Sequence, residues 1–492
     1  MKYEHLIHIV GLTLVALSAP LAFGGLVSLY YGEGDALAFG IAAASSAVIG
    51  YVAYARTRLE RDLTVREGYA VVALSWITVG LAGAFPYLLS GTVTSPVAAF
   101  FESISGFTTT GATVFSDIES LPRGILFWRS MTQWLGGMGI VLLGIAILPF
   151  LGVGGMQLFR AEVPGPSPER LAPRIRNTAS LLWVVYGGLT AAQVILFLFG
   201  GMTPFDAVNH AFTTLSTGGF STRNASLAAF ESSYIQYVTI LFMYLAAVNF
   251  TLHFRALSGR FDYWKDVELR FFTLVLIGCT VLILGLVWLG GGDGGFERTF
   301  RDSLFQTVSI TTTTGFVTYD YERWLGGAQF LLLSLMFMGG MAGSTGGGMK
   351  AMRIYLLMRH SLTELKRNLH PRAVVVAHLG SRPVKDRVFL RILAFALSFL
   401  TLFAAGAFVL TLLGHDLTTA IGASAASIGN IGPGIGGVGP IDNYGWMGSA
   451  SHGVLIFLML AGRLEIFTIL LLFHPDLWRR HGHRQSSRRR ST

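Results

Sequence analysis

Long apolar blocks alternate with short charged loops along the whole chain. Apolar blocks include 6–31, 37–54 and 455–473. A helix needs roughly 20 apolar residues to cross the hydrocarbon of a bilayer, so the pattern predicts a polytopic helical membrane protein. The first run follows a charged start but outlasts the roughly 7–15-residue apolar core of a secretory signal. It is read as a retained first helix.

Between successive basic loops lie two long apolar segments with a shorter one between them. The shorter segments are 98–108, 205–215, 300–310 and 416–427. Each is too short to span, and irregular backbone at membrane depth survives only inside protein or along a watery path. The unit is therefore helix, re-entrant half-helix, irregular loop, helix. It recurs four times at a spacing of roughly 100 residues, longer than in solenoid repeats. The expected fold is all-α: four pseudo-repeats around one pore, with about ten crossings in all. The expected boundaries are an N-terminal hairpin (1–62), pore repeats 63–165, 166–262, 263–370 and 371–475, and a basic tail (476–492).

Composition agrees with this pattern. Of 492 residues, 52% are hydrophobic and 13% charged, against about 25% charged in soluble domains. The net charge of +9 does not point to nucleic acid, because the basic residues sit between apolar blocks. Arg56, Arg58, Arg61 and Arg66 share one loop, Arg160, Arg170, Arg174 and Arg176 a second, and Arg255, Arg260, Lys265 and Arg270 a third. A fourth runs from Lys350 to Arg387 through Lys385, and the tail adds Arg479, Arg480, Arg484 and Arg488–Arg490. The positive-inside rule places all five regions, and hence both termini, in the cytoplasm. The one cysteine, Cys279, permits no disulfide within the chain and no cysteine metal site, and is read as packing.

Each half-helix is followed by a Thr/Ser/Gly-rich stretch: FTTTGAT, LSTGGFS, TTTTGFV and IGNIGPG. A cation entering a narrow pore must exchange water for protein oxygens, and backbone carbonyls provide these without trapping the ion. Glycine lets the backbone leave regular structure to aim them. The candidate filter residues are Thr109, Thr110, Gly111 and Ala112; Thr217, Gly218 and Gly219; Thr313, Thr314, Gly315 and Phe316; and Asn430, Ile431 and Gly432. Half-helix C-termini aimed at this point add partial negative charge. Glu102, Asp206, Asp302 and Asp416 near the opposite ends are read as capping groups, and His210 as a packed residue.

These loops, with WRSMTQWLGGMGIVLL (128–143), GGMQLFRAEVPGP (154–166), GGMAGSTGGGMKAMR (339–353) and AGRLEIFTIL (461–470), resemble the Trk/Ktr/HKT superfamily of potassium transporters, most closely its bacterial TrkH/TrkG type. The resemblance implies that Gly111, Gly218, Gly315 and Gly432 are the central filter glycines. Glycine at all four goes with potassium in that superfamily. It also implies a homodimer in the inner membrane and a separate cytosolic TrkA-type nucleotide-binding regulatory subunit. Potassium is the substrate, and no covalently bound cofactor is expected.

Glycine makes up about half of 339–350, which disfavours a continuous helix. The resemblance implies that this stretch obstructs the pore from below, with Gly343, Ser344, Thr345, Gly346, Gly347 and Gly348 as the gate and Arg463 facing the path beside it. Lys350 is either a gate element or a cytoplasmic anchor. GSTGGGMK is not a phosphate-binding loop, because Met349 precedes Lys350 and Ala351 follows it. The expected function is potassium uptake through a gated conduit, the alternative being a proton- or sodium-coupled symporter. Paired carboxylates, metal-spaced histidines and a nucleophile–base set are missing from the apolar segments, so no enzyme activity is expected.

Overall fold

The computed structural model describes residues 2–60, 63–146, 171–261, 263–291, 295–372, 378–379, 382–384 and 386–478. The stretch 154–166, Lys385 and the tail beyond 478 lie outside these residues. The described chain is helical apart from one small antiparallel hairpin pairing His378–Leu379 with Arg382–Pro383.

Tyr3–Tyr31 and Ala36–Ala55 pack along each other and against the first unit as the N-terminal hairpin. The four half-helices are Pro96–Phe107, Pro204–Leu215, Gly295–Thr311 and Leu417–Gly429. The first two begin at proline, where a missing N–H costs nothing, and are capped by Ser95 and Thr203. The fourth is capped by Asp416, which accepts from Thr419 N at 3.0 Å. That bond and the one from the Thr419 hydroxyl hold the Asp416 carboxyl below the ordinary range.

Among the described residues, six helices are long and apolar enough to cross a membrane. A seventh crossing is a pair, Ser233–Ala247 and Phe250–Leu257, bent by 100°. About ten crossings were expected, with one interruption, at 339–350, and the structure breaks two further helices. The second helices of the last three units are broken: the bent pair in unit two, Gly326–Leu335 and Ala351–Leu369 in unit three, and Ser449–Arg463 and Phe467–Leu472 in unit four. Breaks are tolerated there because these helices sit inside the protein, where other groups satisfy the freed backbone.

The units close into a ring. The second helix of unit one, Arg123–Ala146, packs on the second half-helix, and Ser233–Ala247 packs on the third. Leu332, Leu335 and Met336 share an apolar cluster with Ala425 and Ile431 of unit four. Ser449–Arg463 packs on the first half-helix. Each unit thus holds the re-entrant element of the next, so four unequal sequences enclose one axis.

Candidate functional site: a four-loop ring above a glycine-rich loop

The four half-helices stop at the same place and turn in the same way. Thr109, Thr217, Thr313 and Asn430 follow them with φ of 53°, 55°, 62° and 56°. Two residues later Gly111, Gly219, Gly315 and Gly432 have φ of 84°, 75°, 80° and 99°. The residue between them donates its N–H back to the half-helix in each case: Thr110 to Ser105 O (2.8 Å), Gly218 to Thr213 O (2.8 Å), Thr314 to Ser309 O (2.9 Å) and Ile431 to Ala426 O (2.9 Å). This register corrects one expectation. The glycine of the second loop equivalent to Gly111 is Gly219, not Gly218, because LSTGGFS holds two adjacent glycines and only the backbone tells which one turns.

The glycines are required by close approach as well as by φ. A Cβ on Gly111 would fall on the Gly218 carbonyl oxygen, one on Gly219 on that of Thr314, one on Gly315 on that of Ile431, and one on Gly432 on that of Thr110. Each glycine abuts the carbonyl preceding the glycine of the next loop, and the fourth returns to the first. The four loops form a closed ring of backbone, with half-helix C-termini directed at it.

The acidic residues are not simple caps. Glu102 accepts from Thr113 Oγ1 at 3.0 Å and Val114 N at 2.8 Å; Asp206 accepts from Thr222 Oγ1 at 2.6 Å; Asp302 accepts from Thr318 Oγ1 at 3.0 Å. In the fourth unit Thr419 Oγ1 accepts from Gly437 N at 2.8 Å. Each half-helix therefore ties down the strand of chain leaving its own loop, and only Asp416 caps. Asp302 sits well inside its helix, which starts at Gly295 rather than near Phe300. His210 is packed, with Nδ1 2.8 Å from Asp206 O and Nε2 2.9 Å from Ser221 Oγ.

Beneath the ring runs the glycine-rich stretch. The helix Gly326–Leu335 ends and the chain becomes helical again only at Ala351. Gly347 N donates to Thr313 Oγ1 at 2.6 Å and Gly348 N to Gly429 O at 3.0 Å, so the loop touches two of the four units just below their turns. Thr345 Oγ1 lies 3.0 Å from both Leu215 O and Ala246 O. Lys350 has φ of 75° and its ammonium donates to Gly346 O, which places it with the loop. Gly343, Ser344 and Gly346 complete the stretch.

Arg463 reaches the same loop. It is 2% exposed and its Nη1 donates to Thr345 O at 2.8 Å. Its Nε and Nη2 have no protein partner, and no carboxylate lies within ion-pair distance among the described residues. Glu465 pairs with Arg353 instead. Arg463 is thus a buried, incompletely satisfied cation beside the loop under the ring, where a charge is retained only for a partner or water.

Residues 37–480 match the sequence model of a family described as "TrkH: Cation transport protein". The chain belongs to the TrkH family. It is 41% identical to the Trk system potassium uptake protein TrkH of Salmonella typhimurium over 97% of this chain and 100% of that protein. It is 35% identical to the Trk system potassium uptake protein TrkG of Escherichia coli over 92% and 94%. The crystal structure of the potassium transporter TrkH from Vibrio parahaemolyticus superposes with a TM-score of 0.90 at 39% identity, covering 97% of this chain and 100% of that one. The fold of this TrkH-family chain is accordingly that of a multi-pass membrane transporter.

Two groups that sequence reasoning missed support the ring. Arg129 is 1% exposed and pairs with the fully buried Glu102 at 2.8 Å. It also donates to Ser221 O and Thr113 Oγ1, each at 3.1 Å, and lies over the Phe220 ring at 4.1 Å. Gln133 donates to Gly218 O at 2.7 Å and accepts from Phe220 N at 3.1 Å. Both side chains come from unit one and fix the loop of unit two. Their spacing of four on one helix face was the available signal, and WRSMTQW contains it, but nothing in the sequence names the partners 85 to 92 residues away.

Proposed function

We propose that this chain carries potassium into a bacterial cell across the inner membrane, through a gated, channel-like path. Thr109–Ala112, Thr217–Gly219, Thr313–Phe316 and Asn430–Gly432 form the filter, and the loop through Gly343–Gly348 with Lys350 and Arg463 forms the gate. The observation that carries this reading is the closed ring, in which each positive-φ glycine abuts the next loop's carbonyl. Backbone oxygens from four loops around one axis replace an ion's hydration shell without a full negative charge, so the ion can leave again. Half-helix C-termini favour a cation there.

Conduction below the ring is limited by the intramembrane loop and by the Arg463 charge. A unit charge repels a cation about 8 Å away by about 2 kcal/mol at an effective dielectric near 20. The glycines of the loop absorb the φ/ψ change needed to clear the path. The basic faces set both termini in the cytoplasm, and a TrkA-type regulatory subunit on that face would supply the opening signal to a homodimer. The relatives' names, which describe Trk system potassium uptake proteins, support potassium as substrate.

The test is tracer rubidium flux into proteoliposomes holding the full chain, with sodium as competitor. Uptake that falls with added potassium and persists without a proton or sodium gradient is expected. Flux that stops when the proton gradient is collapsed would move the reading to coupled symport. Full retention of flux in Gly315→Asp would remove the filter assignment.

A further inference from the structure

The four loops of the ring are braced in two different ways. In loops one and three a pair of threonine hydroxyls bonds within the loop, Thr108 Oγ1 with Thr110 Oγ1 and Thr312 Oγ1 with Thr314 Oγ1, each at 2.8 Å. The corresponding positions are Ser216 and Gly218 in loop two and Gly429 and Ile431 in loop four, and neither pair can make that bond. These two loops take a donor from outside instead. Gln133 holds Gly218 O at 2.7 Å, and the Tyr444 hydroxyl donates to Gly432 O at 2.7 Å. The two donors hold different carbonyls. Gly218 precedes the turning glycine of its loop, whereas Gly432 is the turning glycine itself. Among the described residues, Gly432 is the one ring glycine whose carbonyl takes a side-chain donor. It also has the widest φ of the four, 99° against 84°, 75° and 80°.

Tyr444 is itself held by groups outside its own loop. It is buried, and its N–H donates to Thr113 O at 2.8 Å, on the chain leaving loop one. Its carbonyl accepts from His452 Nε2 at 2.9 Å, since a carbonyl only accepts. Phe101 of the first half-helix packs on both side chains, with centroids 5.6 Å from Tyr444 and 4.7 Å from His452. Thr113 is bonded in turn to Glu102 and Arg129. Unit one and the helix Ser449–Arg463 therefore fix the phenol, which reaches back to the loop of its own unit. A second buried phenol offers a comparison. Tyr321 of unit three donates to Gly434 O at 2.6 Å, two residues beyond the ring glycine. The two phenols are alike in burial and bond length and differ in the carbonyl they take. Phenylalanine would fill the same space at either position, so each hydroxyl contributes its bond and little packing.

We propose that Tyr444 determines ion specificity, by holding the Gly432 carbonyl in place so that the ring favours larger monovalent cations over sodium. The inference rests on reading the ring as the filter. A carbonyl oxygen has two lone pairs, so the phenol occupies one and leaves the other for an ion. The held oxygen cannot follow a smaller ion toward the axis. The phenol proton also places partial positive charge beside that oxygen and offsets part of its negative potential. Sodium needs closer and stronger oxygens than potassium or rubidium, so both effects act against it. Whether selectivity comes from cavity size or from the field of the carbonyl dipoles, the sign is the same. Tyr444 acts here as a positioning residue and touches no ion.

The test is the ratio of tracer rubidium to tracer sodium uptake by the full chain in proteoliposomes. The ratio does not depend on how much protein is active, so a loss of folded chain alone leaves it unmoved. Tyr444→Phe is expected to lower it roughly fivefold, the equivalent of one hydrogen bond, and Tyr321→Phe by less than about twofold. Replacing Tyr444 by 3-fluorotyrosine keeps the shape and strengthens the donor, so the ratio is expected to rise. That variant carries the test if Tyr444→Phe does not fold. An unchanged ratio in Tyr444→Phe, equal falls in Tyr444→Phe and Tyr321→Phe, or a ratio that falls or stays level with 3-fluorotyrosine overturns the inference. In each of those cases a wild-type chain that discriminates keeps the filter reading standing. A wild-type chain that passes no rubidium, or passes both ions alike, overturns the filter reading and this inference with it.

Discussion

Asn430 of the fourth loop donates its side-chain amide to Thr110 Oγ1 of the first at 3.1 Å, bridging 320 residues of chain. The same amide donates to Met459 O at 2.9 Å. Asn430 occupies the left-handed turn that threonine fills in the other three loops, a conformation that asparagine tolerates better than most residues. It therefore closes the ring both by its backbone and by its side chain.

Asn430→Ala removes both bonds and adds strain at φ of 56°, whereas Asn430→Gly removes the bonds alone. Each hydrogen bond lost in a buried site is worth about 1 kcal/mol, so losing both is expected to lower discrimination of rubidium over sodium by up to roughly 30-fold in the glycine variant and further in the alanine variant. Competition flux in proteoliposomes measures this. Equal selectivity in wild type and both variants would show that the bridge does not set the ring.

Gly219 and Gly218 separate the geometry from the motif. An alanine at 219 is strained at φ of 75° and collides with the Thr314 carbonyl, while an alanine at 218 meets the end of the Gln133 side chain. Left-handed strain alone costs about 1–3 kcal/mol, so Gly219→Ala is expected to reduce flux roughly 10- to 100-fold and Gly218→Ala by less. The reverse order, read as initial rates of rubidium uptake, would return the central position to Gly218.

Arg129 and Glu102 form a buried pair that ties the first two units together. Removing one partner of such a pair costs about 3–5 kcal/mol, because the other charge is left unpaired. Arg129→Met is expected to lower the melting temperature of the detergent-solubilised protein markedly. Arg129→Met with Glu102→Leu is expected to recover part of that loss, and a double variant no more stable than the single one would argue against charge pairing as the cause.

Arg463 places an unpaired guanidinium beside the loop below the ring. Arg463→Ala is expected to raise resting rubidium flux roughly 30-fold, the factor that corresponds to the roughly 2 kcal/mol repulsion between unit charges about 8 Å apart at an effective dielectric near 20. It is also expected to loosen the loop, because Thr345 O loses its donor. Unchanged or reduced resting flux in planar bilayers or vesicles would place the barrier elsewhere.

Much of this architecture was legible in the chain. Apolar block length gave the membrane class, and parity of the basic loops with the short segments between them gave four units. Three of the four half-helix starts lie within two residues of their expected positions, since Ser95-Pro96, Thr203-Pro204 and Asp416 are local capping signals. The third starts five residues earlier, at Gly295. The loop at 339–350 was legible too, because glycine density opposes helix wherever it falls.

Sequence by itself determined the membrane class, the short re-entrant segments and the glycine-rich break at 339–350, because hydropathy, caps and glycine act over a few residues, whereas the breaks after Ala247 and Arg463 came only with the fold. Only the tertiary structure decided that Gly219 rather than Gly218 turns at the ring, that Glu102 answers Arg129, that Gln133 holds Gly218, and that Tyr444 holds Gly432. Those choices depend on partners brought together from distant parts of the chain, and a glycine or carboxylate looks the same in sequence whichever neighbour the fold gives it.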